Sequence, residues 1–415
     1  MGIQGLLPLV REAIKISHIS HFTGKKAAVD GFVWLHRGCI SCAKELAKGE
    51  KTTKYITYFM QQVQLLINHG LRPLIVFDGC DLPAKRVTNE KRRADRADHI
   101  KAAIQCDEHG MISEANDHYI KSVEITPDVL YPLFNRLRRQ NVEFIVAPYE
   151  ADAQLAYLAY NKIVDLVITD DSDLIVYQCP LTLFKLDRDG NCQSLLREDL
   201  NKIPDLAALS QKMLIESCVL AGCDYLPSIP RMGIRTAIKR MISYRTGEAV
   251  IAGLRAEAKW EIPEDYEERY KDACAIFTQQ RVFDPRTKKA CGIFEECKLD
   301  IAGPFLSNEE AINIAYGRMN PKTKELFDPD SSFDPEEAIK VCTANYHTPV
   351  TSSAAAKFKP HFPSSAIPPR APFSLRKPSH SLEFVKVTPP VNIPPALRRR
   401  ISGKNSYEKP ILPKK

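Results

Sequence analysis

Four short apolar runs in this chain end in acids, and stretches with helical spacing separate them. Lys26–Val29 runs into Asp30 and Pro73–Phe77 into Asp78. Val142–Val146 runs out to Glu150 and Asp152, and Asp165–Ile168 into Asp170, Asp171 and Asp173. The stretches Phe32–Ala47, Thr53–Asn68, Pro127–Arg139 and Ala151–Asn161 carry helical patterns. Strand, helix, strand at this spacing implies parallel pairing. The expected fold class is therefore α/β, with a central, mostly parallel twisted sheet flanked by helices. Leu181–Leu186 followed by Asp187-Arg188-Asp189-Gly190 reads as a strand and its hairpin turn.

Acids at the carboxyl ends of four parallel strands constrain the chemistry as well. Ligands bind at that edge of an open α/β sheet. One acid there is an ordinary helix cap, but a set on every strand needs a cation to offset repulsion and desolvation. Hard divalent ions take such oxygen ligands, Mg²⁺ above all where phosphates are involved. The i, i+2 spacing of Glu150/Asp152 and Asp171/Asp173 predicts pairs that project to one side of an extended chain. Asp224 in "LAGCDYL" ends the helical pattern Met213–Ala221 and joins the set. Two ions about 4 Å apart can generate a hydroxide and stabilise the leaving oxygen of a phosphodiester. No P-loop pattern occurs, and "AAVDGF" has Phe32 where an aspartyl phosphatase wants a second Asp.

Two basic stretches follow acids. Lys85–Lys101, "KRVTNEKRRADRADHIK", has seven Lys or Arg against three acids. On a helix it places Lys85, Arg92 and Arg96 near one face, with Arg93 beside them, positioned to grip phosphates. After Asp224, "YLPSIPRMGIRTAIKRM" makes a tight turn and then a helix from Ile234. Amides at such a helix start bind phosphate without reading sequence.

Whole-chain features exclude several classes. No apolar run reaches the roughly 20 residues of a membrane helix, so no membrane association is expected. No signal peptide is expected at the N-terminus, and "MGIQGL" has Leu6 where a myristoylation signal wants Ser or Thr. The 12 cysteines are scattered, and Cys39-x-x-Cys42 has no partner pair at zinc-site spacing. They read as reduced, mostly buried thiols. From Tyr346 to Lys415 there are 13 Lys or Arg against 2 acids, with nearly half of the 29 prolines. That +11 segment, in a chain of net +7, leaves the body slightly acidic at −4. Residues 346–415 read as a disordered, basic, Pro-rich tail. "LRRRISGK" and the closing "LPKK" fit either a nuclear-import signal or a solvated basic tail that attracts polyanions nonspecifically, and a nuclear location is expected.

The motifs "MGIQGLLPLV", "AVDGFVWLHRG", "VFDGCDLPAK", "VAPYEADAQLAYL", "ITDDSDLIVY" and "LAGCDYLPSI" occur in order. Over about residues 1–340 the chain resembles the flap-endonuclease (XPG/Rad2-like) superfamily of structure-specific 5′ nucleases. "DGFVWLHRGCISCAKELAKGE", "HGMISEANDHYIKSVEIT" and "VFDP" resemble its exonucleolytic branch. No Gln follows Gln280, so the sliding-clamp box of the replication flap endonucleases is absent in its usual form.

The resemblance implies a PIN-like 5′-nuclease fold with a helical arch and a helix–two-turn–helix motif. It implies a nuclease domain over 1–345, divided as 1–99, 100–137 (rest of the arch and the following helix), 138–230 and 231–345. The implied activity is Mg²⁺-dependent 5′→3′ exonucleolysis of duplex DNA with 5′-flap cleavage, in mismatch repair, end resection and recombination. The implied cofactors are two Mg²⁺, with Mn²⁺ able to substitute, and K⁺ at the helix–two-turn–helix motif. The implied partners are DNA with nicks, 5′ recessed ends or 5′ flaps, and mismatch-repair proteins, for a monomeric enzyme. The family's metal carboxylates match Asp30, Asp78, Glu150, Asp152, Asp171, Asp173 and Asp224, leaving Asp170 out. Its catalytic basic pair matches Lys85 and Arg92. Its DNA contacts fall on Gly2, Phe32 (usually Tyr), His36 and the turn Arg231–Ile234. The family's G-x-G reads Arg231-Met232-Gly233 here, with Gly233 expected to remain the conformationally permissive position. The alternatives are a flap endonuclease without a clamp box and a catalytically silent DNA-binding scaffold.

Overall fold

The computed structural model describes residues 2–257 and 259–327. The tail expected over 346–415 lies outside the described residues. Seven strands form one sheet: β1 (Lys15–His18), β2 (Lys26–Asp30), β3 (Arg72–Phe77), β4 (Glu143–Val146), β5 (Leu166–Ile168), β6 (Leu181–Phe184) and β7 (Asn191–Leu196), in the order β1-β7-β6-β5-β2-β3-β4. Strands β6, β5, β2, β3 and β4 run parallel, while β7 and β1 pair antiparallel at one edge. The β6–β7 connection is the hairpin expected at Asp187–Gly190. Asp187 accepts from the amides of Asp189 and Asn191 at 2.9 and 2.8 Å.

The central strands are continuous apolar runs because helices cover both faces. Ala27, Ala28, Val29, Ile75, Val76 and Val167 are fully buried. From β2 the chain moves to β3 and β4 on one side, and β5 and β6 lie on the other. The switch point therefore falls between β2 and β5. Val29 pairs with Ile168 and Phe77 with Val146, so the four strand ends align at one edge.

Core packing fixes that edge. The Phe77 ring lies 5.2 Å from Phe134 and 6.0 Å from Phe59, immediately before Asp78. Gly31 makes room for it, because a Cβ there would come within 2.6 Å of the Phe77 ring. The helix expected over Phe32–Ala47 is two helices, Gly31–Ile40 and Ala43–Ala47. The Ser41 hydroxyl donates back to the Gly38 carbonyl at 3.1 Å and Cys42 leaves helical geometry, ending the first.

The helix Arg86–Glu108 and the helix Ile112–Ser122 form the arch. The boundary expected at 99/100 falls inside the first of them. That 23-residue helix buries only Ala103 and Cys106, which join Ala43, Ala115 and Tyr119 in a small cluster separate from the main core. Its Arg86–Ile100 half contributes no buried side chain. A polar helix of this kind depends on a few contacts for its position.

Candidate active site

Each acid reaches the sheet edge from a strand end or the turn after it. Asp30 closes β2; its Oδ1 accepts from the Phe32 amide and its Oδ2 from the Thr169 hydroxyl, both at 3.0 Å. Asp78 follows β3 and accepts from the Ala151 amide at 2.7 Å, at the start of helix Ala151–Tyr160. Glu150 occupies the N-cap position of that helix without a side-chain capping bond, and Asp152 lies in its first turn. Asp171 follows β5, and its Oδ1 accepts from the amide of Asp173, the first residue of the short helix Asp173–Val176. The i, i+2 pairs thus straddle loop-to-helix junctions rather than an extended strand. The helix start turns the second acid back toward the edge, and the expectation of an extended pair is corrected accordingly.

Asp170 points away from this set. It pairs with Arg37 and accepts from the Lys185 amide at 2.8 Å, tying β5 to helix Gly31–Ile40 and to the segment after β6. Its role is structural.

The acids divide by how their charge is met. Asp30 is pushed up to about 7, by burial first and then by Asp78 and Asp171. Asp78 is raised to about 6, chiefly by burial, with Glu150 adding repulsion. Burial and mutual repulsion hold Asp152 and Asp173 well above the carboxylate range, and burial raises Asp171. Asp173 Oδ1 is buried with no hydrogen-bond partner. Burial would also raise Asp224, but Lys85 and Arg92 bring it below its ordinary value.

Lys85 supplies the positive charge on that side. Its Nζ lies 2.7 Å from Glu150 and 3.1 Å from Asp224. Burial opposes its charge, yet Glu150, Asp224 and Asp152 keep its pKa well above that of a free lysine. Lys85 belongs to a 3-10 turn before the arch helix, so its approach comes from the turn rather than from a shared helical face. Arg92, two turns into the helix, bonds Asp224 at 3.0 Å. Arg96, placed on the same face by its spacing, instead pairs with Glu124 at 3.1 Å, and Arg93 is exposed.

Among the described residues no three acids form a closed ion cage, and an ammonium sits between two of them. The donor set nonetheless fits hard divalent cations: all-oxygen ligands, five acids destabilised as anions, and one carboxylate oxygen with no partner. An ion between Asp30, Asp78, Asp152, Asp171 and Asp173 would meet charge that the protein leaves unbalanced.

The remaining expected residues divide into two places. A Cβ on Gly2 would collide with the Asp171 carboxylate and the Ser172 hydroxyl, so the chain start lies against the acids. The Ile3 amide donates to Ser172 at 2.9 Å. The Phe32 ring is half-buried, 6.2 Å from exposed His36, whose pKa is lowered by surrounding atoms and then by the Arg96 charge. Phe32, Asp78, Lys85, Asn89, Arg92 and Glu150 share the lining of a cavity of about 170 Å³.

The turn at Arg231–Ile234 stands at the start of helix Ile234–Tyr244. Arg231 has φ +68°, the left-handed region that favours glycine. Gly233 has φ −88° and ψ 167°, ordinary extended geometry, with open space where a Cβ would be. The permissive position is therefore 231, and the expectation for Gly233 is corrected. Ile234 is only 4% exposed, so its side chain belongs to the core, and its backbone amide is what remains at the helix start. Replacing Arg231 by Gly is expected to stabilise the fold by about 1 kcal/mol, seen as a raised melting temperature. An unchanged or lowered value would show that the arginine side chain compensates.

Tyr225 and Thr169 are site residues that sequence reasoning missed. The Tyr225 hydroxyl donates to Glu150 Oε2 at 2.5 Å, and its ring lies 5.5 Å from the Lys85 ammonium. Thr169 donates to Asp30 and accepts from the Asp171 amide, joining two strand ends. Both are adjacent in sequence or nearly so to an acid of the set, which was the available signal.

Residues 1–99 match the family model of the XPG N-terminal domain, and residues 141–224 match that of the XPG I-region. Exonuclease 1 of Arabidopsis thaliana is 40% identical over 338 residues, covering 80% of this chain and 46% of that protein. DNA damage-inducible protein DIN7 of Saccharomyces cerevisiae is 32% identical over 288 residues, covering 69% of this chain and 67% of that protein. A solved structure of the catalytic core of Rad2 in complex with DNA substrate is similar at TM-score 0.48 and 21% identity, covering 66% of this chain and 80% of that one. The chain spans about half the length of the first curated relatives it matches. The family models and the curated relatives agree: the chain belongs to the flap-endonuclease (XPG/Rad2-like) superfamily, in the group that contains the exonuclease 1 proteins.

Proposed function

We propose that the protein is a Mg²⁺-dependent 5′→3′ exonuclease of duplex DNA that also cuts 5′ flaps and acts in DNA repair. The observation that carries this reading is the strand-edge acid set with five anions unbalanced, beside Lys85 and Arg92 at the foot of an arch.

Asp30, Asp78, Asp152, Asp171 and Asp173 would hold the cations, and Glu150 and Asp224 would complete the set once Lys85 turns to substrate. Bound Mg²⁺ would supply activation of the attacking water and charge stabilisation at the leaving oxygen. Lys85 and Arg92 exchange carboxylate partners for the scissile phosphate and neutralise its developing charge. Tyr225 holds Glu150 in place during that exchange. Phe32 offers a ring face to the base at the 5′ end. Gly2 leaves room for the backbone beside Asp171. Amides at the start of helix Ile234–Tyr244 receive a phosphate of the duplex, and K⁺ at the preceding turn belongs to the same reading. The basic tail directs the protein to the nucleus, and mismatch-repair proteins are its partners. A fluorescent fusion lacking 346–415 tests the location: it should lose nuclear accumulation.

The deciding experiment is single-turnover cleavage of a 5′-recessed duplex, labelled at its 5′ end, with Mg²⁺ and then with EDTA. Metal-dependent release of 5′ mononucleotides is the expected result. Binding without release under Mg²⁺ would remove the nuclease reading and leave a scaffold. Cleavage of a 5′ flap with the recessed duplex left intact would favour the flap endonuclease.

The raised carboxyl pKa values set a pH dependence. These acids bind protons more tightly folded than unfolded, so their contribution is fully present below about pH 4 and is lost as pH rises through about 6 to 7. In EDTA the melting temperature is expected to fall over that window, and Mg²⁺ should remove the fall. A flat profile in EDTA would contradict the unbalanced cluster.

A further inference from the structure

We propose that His99 and His118 form an exchangeable site for a borderline divalent transition cation of the Zn²⁺ class, stapling the two arch helices together. His99 lies on helix Arg86–Glu108 and His118 on helix Ile112–Ser122, and their Nδ1 atoms are 2.9 Å apart. The ring centroids are 5.1 Å apart and tilted by 46°, so the rings meet edge to edge rather than stacking. Both residues are half-buried in the groove between the helices.

Two neutral imidazoles can meet this way only if one Nδ1 carries the proton and the other accepts it. Tetrahedral zinc at ordinary Zn–N distances places two ligand nitrogens about 3.3 Å apart. To chelate one ion the rings therefore need to separate by a few tenths of an ångström and to turn so that both Nδ1 lone pairs converge on it. Binding moves the donor ring's proton to its Nε2, leaving two neutral Nδ1 lone pairs on the metal and releasing no net proton. Among the described residues no third His, Cys, Asp or Glu completes a ligand set, so water fills the other positions. The site is accordingly an exchangeable one, unlike a closed structural zinc site.

The location gives it a consequence. The small cluster under the arch lies beyond this point, at Ala103, Cys106, Ala115 and Tyr119. His99 comes one turn before Ala103, toward the part of the helix that carries Arg92 and lacks buried side chains. A staple there extends the fixed part of the arch toward the acid site. The site is separate from the carboxylates and does not depend on the nuclease reading.

The test is a Co²⁺ titration of the full chain in excess Mg²⁺, read by histidine-ring NMR, visible absorption and hydrogen exchange. The two rings should respond together at one equivalent, without a thiolate-to-cobalt band, and amides near His99 should exchange more slowly. His99→Phe or His118→Phe should each weaken binding about tenfold or more, because either loss removes the chelate. Rings that respond separately or not at all at stoichiometric Co²⁺ would overturn the proposal, as would a thiolate band with unmoved rings. The wild-type spectra decide this even if a variant folds poorly.

Discussion

Asp173→Asn is expected to cleave duplex DNA about a thousandfold more slowly than the native chain while binding it with similar affinity. Asp173 carries the buried Oδ1 that has no partner in the protein, and its pKa is driven up by burial and by Asp171. The substitution keeps the shape of the side chain and the backbone bond from residue 173 to Asp171 Oδ1. It removes one anion from a site that has no other use for it. Asp171→Ala should also abolish cleavage, but it loses that backbone bond as well and is the less clean variant. Thermal melts with and without Mg²⁺ separate chemistry from folding. Mg²⁺ should raise the native melting temperature and raise that of Asp173→Asn less. Native turnover by either variant would remove the metal assignment.

Lys85→Ala is expected to lower the single-turnover rate by about a hundredfold, with a smaller change in DNA affinity. Its ammonium bridges Glu150 and Asp224 at 2.7 and 3.1 Å and is buried among them. Without it Glu150 loses its counter-charge and Asp224 keeps only Arg92, so Mg²⁺ should stabilise the variant more than the native protein. Arg92→Ala should slow cleavage less. Arg92 is the more exposed of the two, at 36% against 15%, and among the described residues its ion-pair partner is Asp224. Its contribution is correspondingly more screened by solvent. Equal rates for native and Lys85→Ala would sink the clamp role, whereas lost binding with unchanged chemistry would reassign Lys85 to DNA affinity.

Much of the site was legible because its signal is local. Each acid sits at the end of an apolar run, and parallel strands must bring their carboxyl ends to one edge. The same logic could not place Tyr225 or Thr169. A tyrosine beside an aspartate and a threonine at a strand end are common, and only their aim at Glu150 and Asp30 gives them a role. Asp170 shows the converse. It resembles its neighbours in sequence, but it points from the opposite side of the chain and is taken up by Arg37 and Lys185.

The turn at Arg231 marks the limit of motif reading. With the first glycine of the pattern missing, the sequence points to Gly233 as the position of unusual geometry. Folding instead imposes φ +68° on Arg231 and leaves Gly233 extended. Which residue of a turn goes left-handed depends on how the following helix docks, and Ile234 docks by burying its side chain.

By itself the sequence determined the α/β class, the parallel pairing implied by strand–helix–strand spacing, and the residues whose charge must be met at one edge. Those follow from periodicity and chain direction, which are local properties. Only the tertiary structure decided which acids keep unbalanced charge and which are met by Lys85 and Arg92. It alone brought His99 against His118 across two helices. Both outcomes depend on distances between segments far apart in the chain, and those are set by how the helices pack on the sheet and on each other.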